Sequence, residues 1–112
     1  MAGSDVFTGT LDLLILRTLE RGPLHGYAIG RSIREASGPA LAVEEGALYP
    51  ALHRLEKRRL IGSKWGQTEL KRQAKFYRLT ASGRKALERE SLRWREYVRA
   101  VESVLAAPAR SR

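Results

Sequence analysis

Residues 44–61 read EEGALYPALHRLEKRRLI, and the fold turns on how this stretch is taken. Leu48, Ala51, Leu52 and Leu55 stand at i, i+3, i+4 and i+7, the spacing of a helix that lays one apolar stripe on a core. With a start near Glu45 or Gly46, Pro50 falls in or just after the first turn, where a missing N–H costs little because that donor has no carbonyl to reach. Glu44, Glu45, Tyr49, Pro50 and His53 are then left on the outer face near the N-terminus, and Arg54, Lys57, Arg58 and Arg59 follow. Free N–H groups and the positive end of the helix dipole make such an end suitable for phosphate.

Upstream, Thr10 is placed to cap a helix over 11–21, where Leu11, Leu14, Ile15 and Leu19 recur at helical spacing and Gly22-Pro23 stops the run. HGYAIGRSIREA, residues 25–36, predicts a second helix that turns Tyr27 or Ala28, Ile29, Ile33 and Ala36 inward and is closed by SGPA. Downstream of the third helix the period changes. LIGSKWG (60–66) and KFYRLT (75–80) are short aromatic and aliphatic runs, and the polar segment 67–74 between them is the tip of a two-stranded hairpin. Strand alternation puts Lys75, Tyr77 and Leu79 on one face and Phe76, Arg78 and Thr80 on the other.

Thr80 caps a last helix from about Ala81 to Ala106. Leu87, Trp94, Val98, Val101 and Leu105 recur along it with charges between them, and Tyr97 lies beside Trp94. A helix this long on so small a body has apolar surface left over. A partner helix is expected to cover it, which makes these six residues a dimer interface.

At 112 residues the chain can hold a modest core without staples, and it has no cysteine, which excludes a thiolate nucleophile, a Cys-based zinc site and disulfides. The longest apolar run, LDLLIL at 11–16, is too short and too charged to cross a bilayer. The start, MAGSDVFTG, has no basic head before an apolar stretch, so no secretory signal, no membrane and a cytoplasmic location are expected. The formal net charge is +9, and residues 53–78 hold nine Lys or Arg against two acids. Such clustering asks for an anionic partner.

Three helices followed by a basic hairpin make a winged helix-turn-helix: mainly α with a small β-hairpin, the third helix entering the major groove of double-stranded DNA and the wing reaching the backbone or minor groove. The division expected is a DNA-binding domain over 1–81, a dimerisation helix over 82–107 and a disordered tail over 108–112. The residues assigned to DNA are Glu45, Gly46, Ala47, Tyr49, Pro50, His53 and Arg54 from the helix, with Lys64, Lys71, Arg72 and Lys75 from the wing.

GTLDLLILRTL, HGYAI, EEGALYPALHRLE, LIGSKW and FYRLTASGRKAL, in this order from Gly9 to about Leu105, together resemble the PadR family of bacterial transcriptional regulators. The resemblance implies a homodimeric repressor on an inverted-repeat operator, often near its own gene, and in some members a small aromatic effector, which Trp94 and Tyr97 would border. The single terminal helix is similar to the short-chain branch of that family. Three positions depart from its pattern: Ala47 stands where a threonine is usual, Phe76 where a tyrosine is frequent, and Arg59 where a glycine commonly ends the recognition helix, which argues against a left-handed cap there.

An enzyme is the opposing class. Neither His25 nor His53 has a carboxylate spaced to orient it, no glycine-rich phosphate loop is present, and no catalytic residue, cofactor or metal is assigned. A winged helix used only for protein interaction is the other alternative, and the charge of the wing weighs against it.

Overall fold

The structure, a computed structural model, describes residues 2–110. Its elements are α1 (Ala2–Leu19), β1 (Leu24–His25), α2 (Gly26–Ala36), α3 (Glu45–Lys57), β2 (Ile61–Gln67), β3 (Gln73–Leu79) and α4 (Ala81–Ala106). One core joins them: Ile15, Leu16 and Leu19 of α1, Ile29 and Ile33 of α2, the Leu48, Ala51, Leu52 and Leu55 stripe of α3, Ile61, Tyr77 and Leu79 of the sheet, and Ala86 and Leu87 of α4. The stripe read from residues 44–61 is therefore the centre of the packing.

Several local expectations are corrected. α1 begins at Ala2, so Thr10 lies inside it and is not its N-cap, and the helix ends at Leu19, before Arg21. Ala36 and Tyr27 are exposed, leaving Ile29 and Ile33 as the inward pair of α2. Pro50 is the sixth residue of α3, past the turn whose N–H groups are free, so the Gly46 carbonyl loses its usual i+4 donor. The tail carries no regular structure and is exposed over 108–110, while 111–112 lie outside the described residues.

The hairpin is one strand larger than its sequence shows. Leu24 and His25 form β1, which pairs antiparallel with Tyr77 and Phe76 and gives the order β1-β3-β2. Its second residue then caps α2, with His25 Nδ1 accepting the Ala28 N–H at 3.4 Å. Pairing between β2 and β3 continues to Gln67 and Gln73, so the tip is 68–72 and not 67–74. Thr68 closes that tip: its N–H donates to the Arg72 carbonyl at 2.8 Å and its carbonyl accepts from Lys71 at 2.9 Å.

α3 ends in a left-handed cap after all. Arg59 has φ 63°, its N–H donates to the Glu56 carbonyl at 2.9 Å, and the Leu60 N–H reaches back to Leu55 at 3.0 Å. These two bonds are the Schellman pattern, formed without glycine at a strain of about 1–2 kcal/mol. The chain later returns to the same point. Thr80 donates its N–H to the Leu60 carbonyl at 3.2 Å, places its hydroxyl 2.8 Å and 3.0 Å from the Arg59 and Leu60 carbonyls, and caps α4 by accepting from the Gly83 N–H. A Cβ on Gly83 would sit 2.0 Å from the Leu60 oxygen.

Gly83→Ala is expected to destabilise the fold by about 2–3 kcal/mol and to lower Tm by roughly 10 °C or more. Arg59→Gly relieves the left-handed strain and is expected to add about 0.5–1 kcal/mol. Thermal unfolding of both variants checks the two signs.

Candidate nucleic-acid interface

The outer face of α3 begins beside α2. Tyr27, Arg31 and Arg34, at i, i+4 and i+7 on α2, share a cleft of about 220 Å³ with Glu45 and Tyr49 of α3. Arg31 lies over the Tyr27 ring, with its guanidinium carbon 5.6 Å from the centroid. Tyr49 is 44% exposed, yet its ring rests on Gly26: a Cβ there would lie 2.7 Å from Cε1 and 2.8 Å from the hydroxyl oxygen. Half-exposed as it is, the side chain packs on α2 with its hydroxyl against Gly26. Arg31 and Arg34 were missed in the sequence reading, although their spacing opposite Ile29 and Ile33 was visible.

The other assigned residues divide into two groups. Glu45, Gly46, Ala47, Pro50 and His53 are exposed along α3, and Lys64, Lys71 and Arg72 are exposed on the wing. Among the described residues, Arg31, Arg34, Lys64, Lys71 and Arg72 make no ion pair. Arg54 and Lys75 are engaged inside the chain: Arg54 Nη2 donates to Asp12 Oδ1 at 2.9 Å, and Lys75 Nζ lies 3.6 Å from Glu56 Oε1. Strand alternation explains the second case, since Lys75 shares the face of the buried Tyr77 and Leu79.

Burial pushes the Asp12 carboxyl above the usual aspartate value, and this outweighs the hydrogen bond from Arg54 and the charges of Arg54 and Arg58. Burial likewise raises the Tyr77 phenol, helped by the nearby charge of Glu56. For Asp12 the folded chain holds its proton more tightly than the unfolded chain. Stability therefore falls as pH rises from 3.8 through the raised value, and the ionised carboxylate is a net cost at neutral pH.

On the wing, Lys64 pairs across the ladder with Phe76. The Phe76 ring meets His25 edge-on at 5.3 Å. It also covers Gly66, where a Cβ would be 3.0 Å from Cδ1. Trp65 and Leu70 stand out at 65% and 77% exposure.

In α4, Leu87 is 5% exposed in the chain's own core and is not available to a partner, which corrects its assignment to the dimer seam. Beyond it the helix leaves the core but still runs beside α1 as far as Tyr97. Trp94 and Tyr97, ring centroids 5.9 Å apart, border a cleft of about 210 Å³ with Gly9, Thr10 and Leu13 of α1. Val98 is half-buried, and Val101 and Leu105 are exposed together with Leu92 and Val104, which were not assigned. Among the described residues no cluster of three His, Cys, Asp or Glu could hold a metal ion, and no helix is long and apolar enough to cross a membrane.

A helix-turn-helix whose third helix is followed by a basic hairpin defines the winged helix-turn-helix regulators of transcription. Residues 15–89 match the transcriptional regulator PadR-like family, and the chain belongs to it. It is 31% identical over 96 residues to an uncharacterized protein of Lysinibacillus sphaericus, covering 86% of this chain and 88% of that one. A transcriptional regulator from Clostridium thermocellum superposes with a TM-score of 0.80 at 32% identity, over 88% of this chain and 96% of that chain. A PadR family transcription regulator from Clostridium difficile R20291 gives 0.74 at 32% identity, over 86% and 98%. Membership implies DNA-binding regulation and points away from an enzyme.

Asp12→Asn should leave Tm unchanged or raise it at pH 7 and remove Asp12's share of the acid-side slope of stability. By freeing Arg54 for phosphate it should also steepen the salt dependence of DNA binding by about one unit. Unfolding across pH and a salt titration of DNA affinity check both parts.

Proposed function

We propose that the chain is a homodimeric repressor that binds an inverted-repeat operator, with α3 in the major groove and the wing on the flanking backbone or minor groove. The observation that carries the DNA reading is the cleft at the start of α3, where Arg31 and Arg34 meet a half-exposed Tyr49 beside free helix N–H groups. Base contacts are assigned to the face of Glu45, Gly46, Ala47, Tyr49, Pro50 and His53, and phosphate contacts to Arg31, Arg34, Lys64, Lys71 and Arg72. Arg54 and Lys75 take part only if released from Asp12 and Glu56.

The dimer reading rests on α4. Leu92, Tyr97, Val101, Val104 and Leu105 are an exposed apolar series on one helix, too large a surface to leave uncovered on a chain this size. Two copies related by a two-fold axis match the two halves of a palindromic site. The Trp94–Tyr97 cleft is the place where a small aromatic effector would enter. A module for protein interaction alone gives no reason for unpaired arginines at the recognition helix.

The direct test is whether the purified protein shifts the DNA immediately upstream of its own gene, with retention by unrelated DNA as the control. Replacing Lys71 and Arg72 together by Ala should weaken binding to all sequences and flatten the salt dependence by about one unit for each lost phosphate contact, while sequence preference survives. Val98→Asp should put a charge in the seam and separate the protomers, which light scattering at micromolar concentration reports; a wild-type monomer there would overturn the two-half-site mechanism.

A further inference from the structure

We propose that Glu56 is a positioning residue that clasps the wing to the recognition helix and thereby sets where Lys71 and Arg72 meet DNA, a proposal that rests on the DNA-binding reading above. Glu56 stands in the last turn of α3, where the helix dipole disfavours an acid, and in a tract that serves a polyanion. It is misplaced twice on electrostatic grounds. Its contacts supply the reason: the carboxylate accepts the Ser63 hydroxyl of β2 and faces the Lys75 ammonium of β3 at 3.6 Å.

One side chain on the helix thus holds both strands of the hairpin. Ser63 is paired with Tyr77, and Lys75 with Trp65, the next position along the same face. Among the described residues no other side-chain hydrogen bond or ion pair ties residues 62–78 to α3. The clasp at Lys75 is two residues from the end of pairing at Gln67 and Gln73, roughly 7 Å along the strand. Beyond it the tip is braced only by its own Thr68 bonds. On the opposite face Phe76 packs on His25, which supports the sheet from β1, while Ile61, Tyr77 and Leu79 anchor the hairpin's base in the core; Glu56 adds the polar tie from α3 to Ser63 and Lys75.

The sign of the effect separates this role from simple charge. Removing an acid near DNA should strengthen binding if only its field mattered, whereas loss of the clasp should weaken it. Glu56→Ala is expected to weaken operator binding roughly fivefold or more, and to add nothing further when Lys71 and Arg72 are already Ala. Glu56→Gln keeps an acceptor for Ser63 and should bind more tightly than Glu56→Ala. A second readout needs no DNA. The chain has no native cysteine, so Glu35→Cys and Glu69→Cys can carry a spin-label pair, diluted with unlabelled protein, whose distance distribution should broaden in Glu56→Ala. Unchanged distances, tighter binding by Glu56→Ala, or a loss fully additive with the wing substitutions would each overturn the proposal. A wild-type protein that fails to bind its upstream DNA would overturn the operator reading instead, and the distances would still decide the clasp.

Discussion

The arrangement depends on one carbonyl. The Leu60 oxygen, just past the end of α3, receives the Thr80 N–H and lies within reach of its hydroxyl, and Gly83 crosses it so closely that no side chain fits. Three elements meet there: the helix that Arg59 ends, the strand that starts at Ile61, and α4, which Thr80 caps. The strained φ of Arg59 is offset by burying Leu60 and Ile61 immediately after it, each apolar side chain contributing about 1.5–3 kcal/mol. Recognition helix, long helix and the root of the wing are consequently fixed against each other by backbone, and in the proposed clasp the outer part of the wing is left to the Glu56 contacts.

Much of this frame was legible in the sequence because it rests on periodicity. The Leu48–Leu55 stripe, the Ile29 and Ile33 pair, the alternation around Tyr77 and the Thr80 cap all follow from spacing alone. What escaped depends on partners far along the chain. A two-residue strand such as Leu24–His25 has no period, and it exists because Tyr77 and Phe76 offer a free edge. Arg59 was misjudged because residue type was taken to decide its conformation, when the bonds to Leu55 and Glu56 decide it. Leu87 fell into the wrong set because one helix carries two stripes in succession, first inward and then outward, and sequence marks no boundary between them.

Charge shows the same distinction between type and place. Arg54 and Lys75 are as basic as Lys71 and Arg72, yet tertiary packing gives the first two acidic partners and leaves the others without. Asp12 and Glu56 therefore edit the basic tract, choosing which cations remain for an outside anion. The arginines of α2 enter the tract by the opposite route, since the fold carries Arg31 and Arg34 to the start of α3 from outside the segment where charge was densest.

α4 is continuous for 26 residues, with Gly83, Ala86 and Leu87 in the core and Trp94 to Leu105 beyond it. In the proposed dimer it works as a stiff lever about 39 Å long, clamped at one end by the Leu60 joint and resting on its counterpart at the other. A tilt of only about 5° at the far end sweeps the clamped end through roughly 3 Å. That displacement approaches the rise of one base pair, so in the proposed dimer an effector of the kind proposed at the Trp94–Tyr97 cleft would detune the spacing of two recognition helices without touching either.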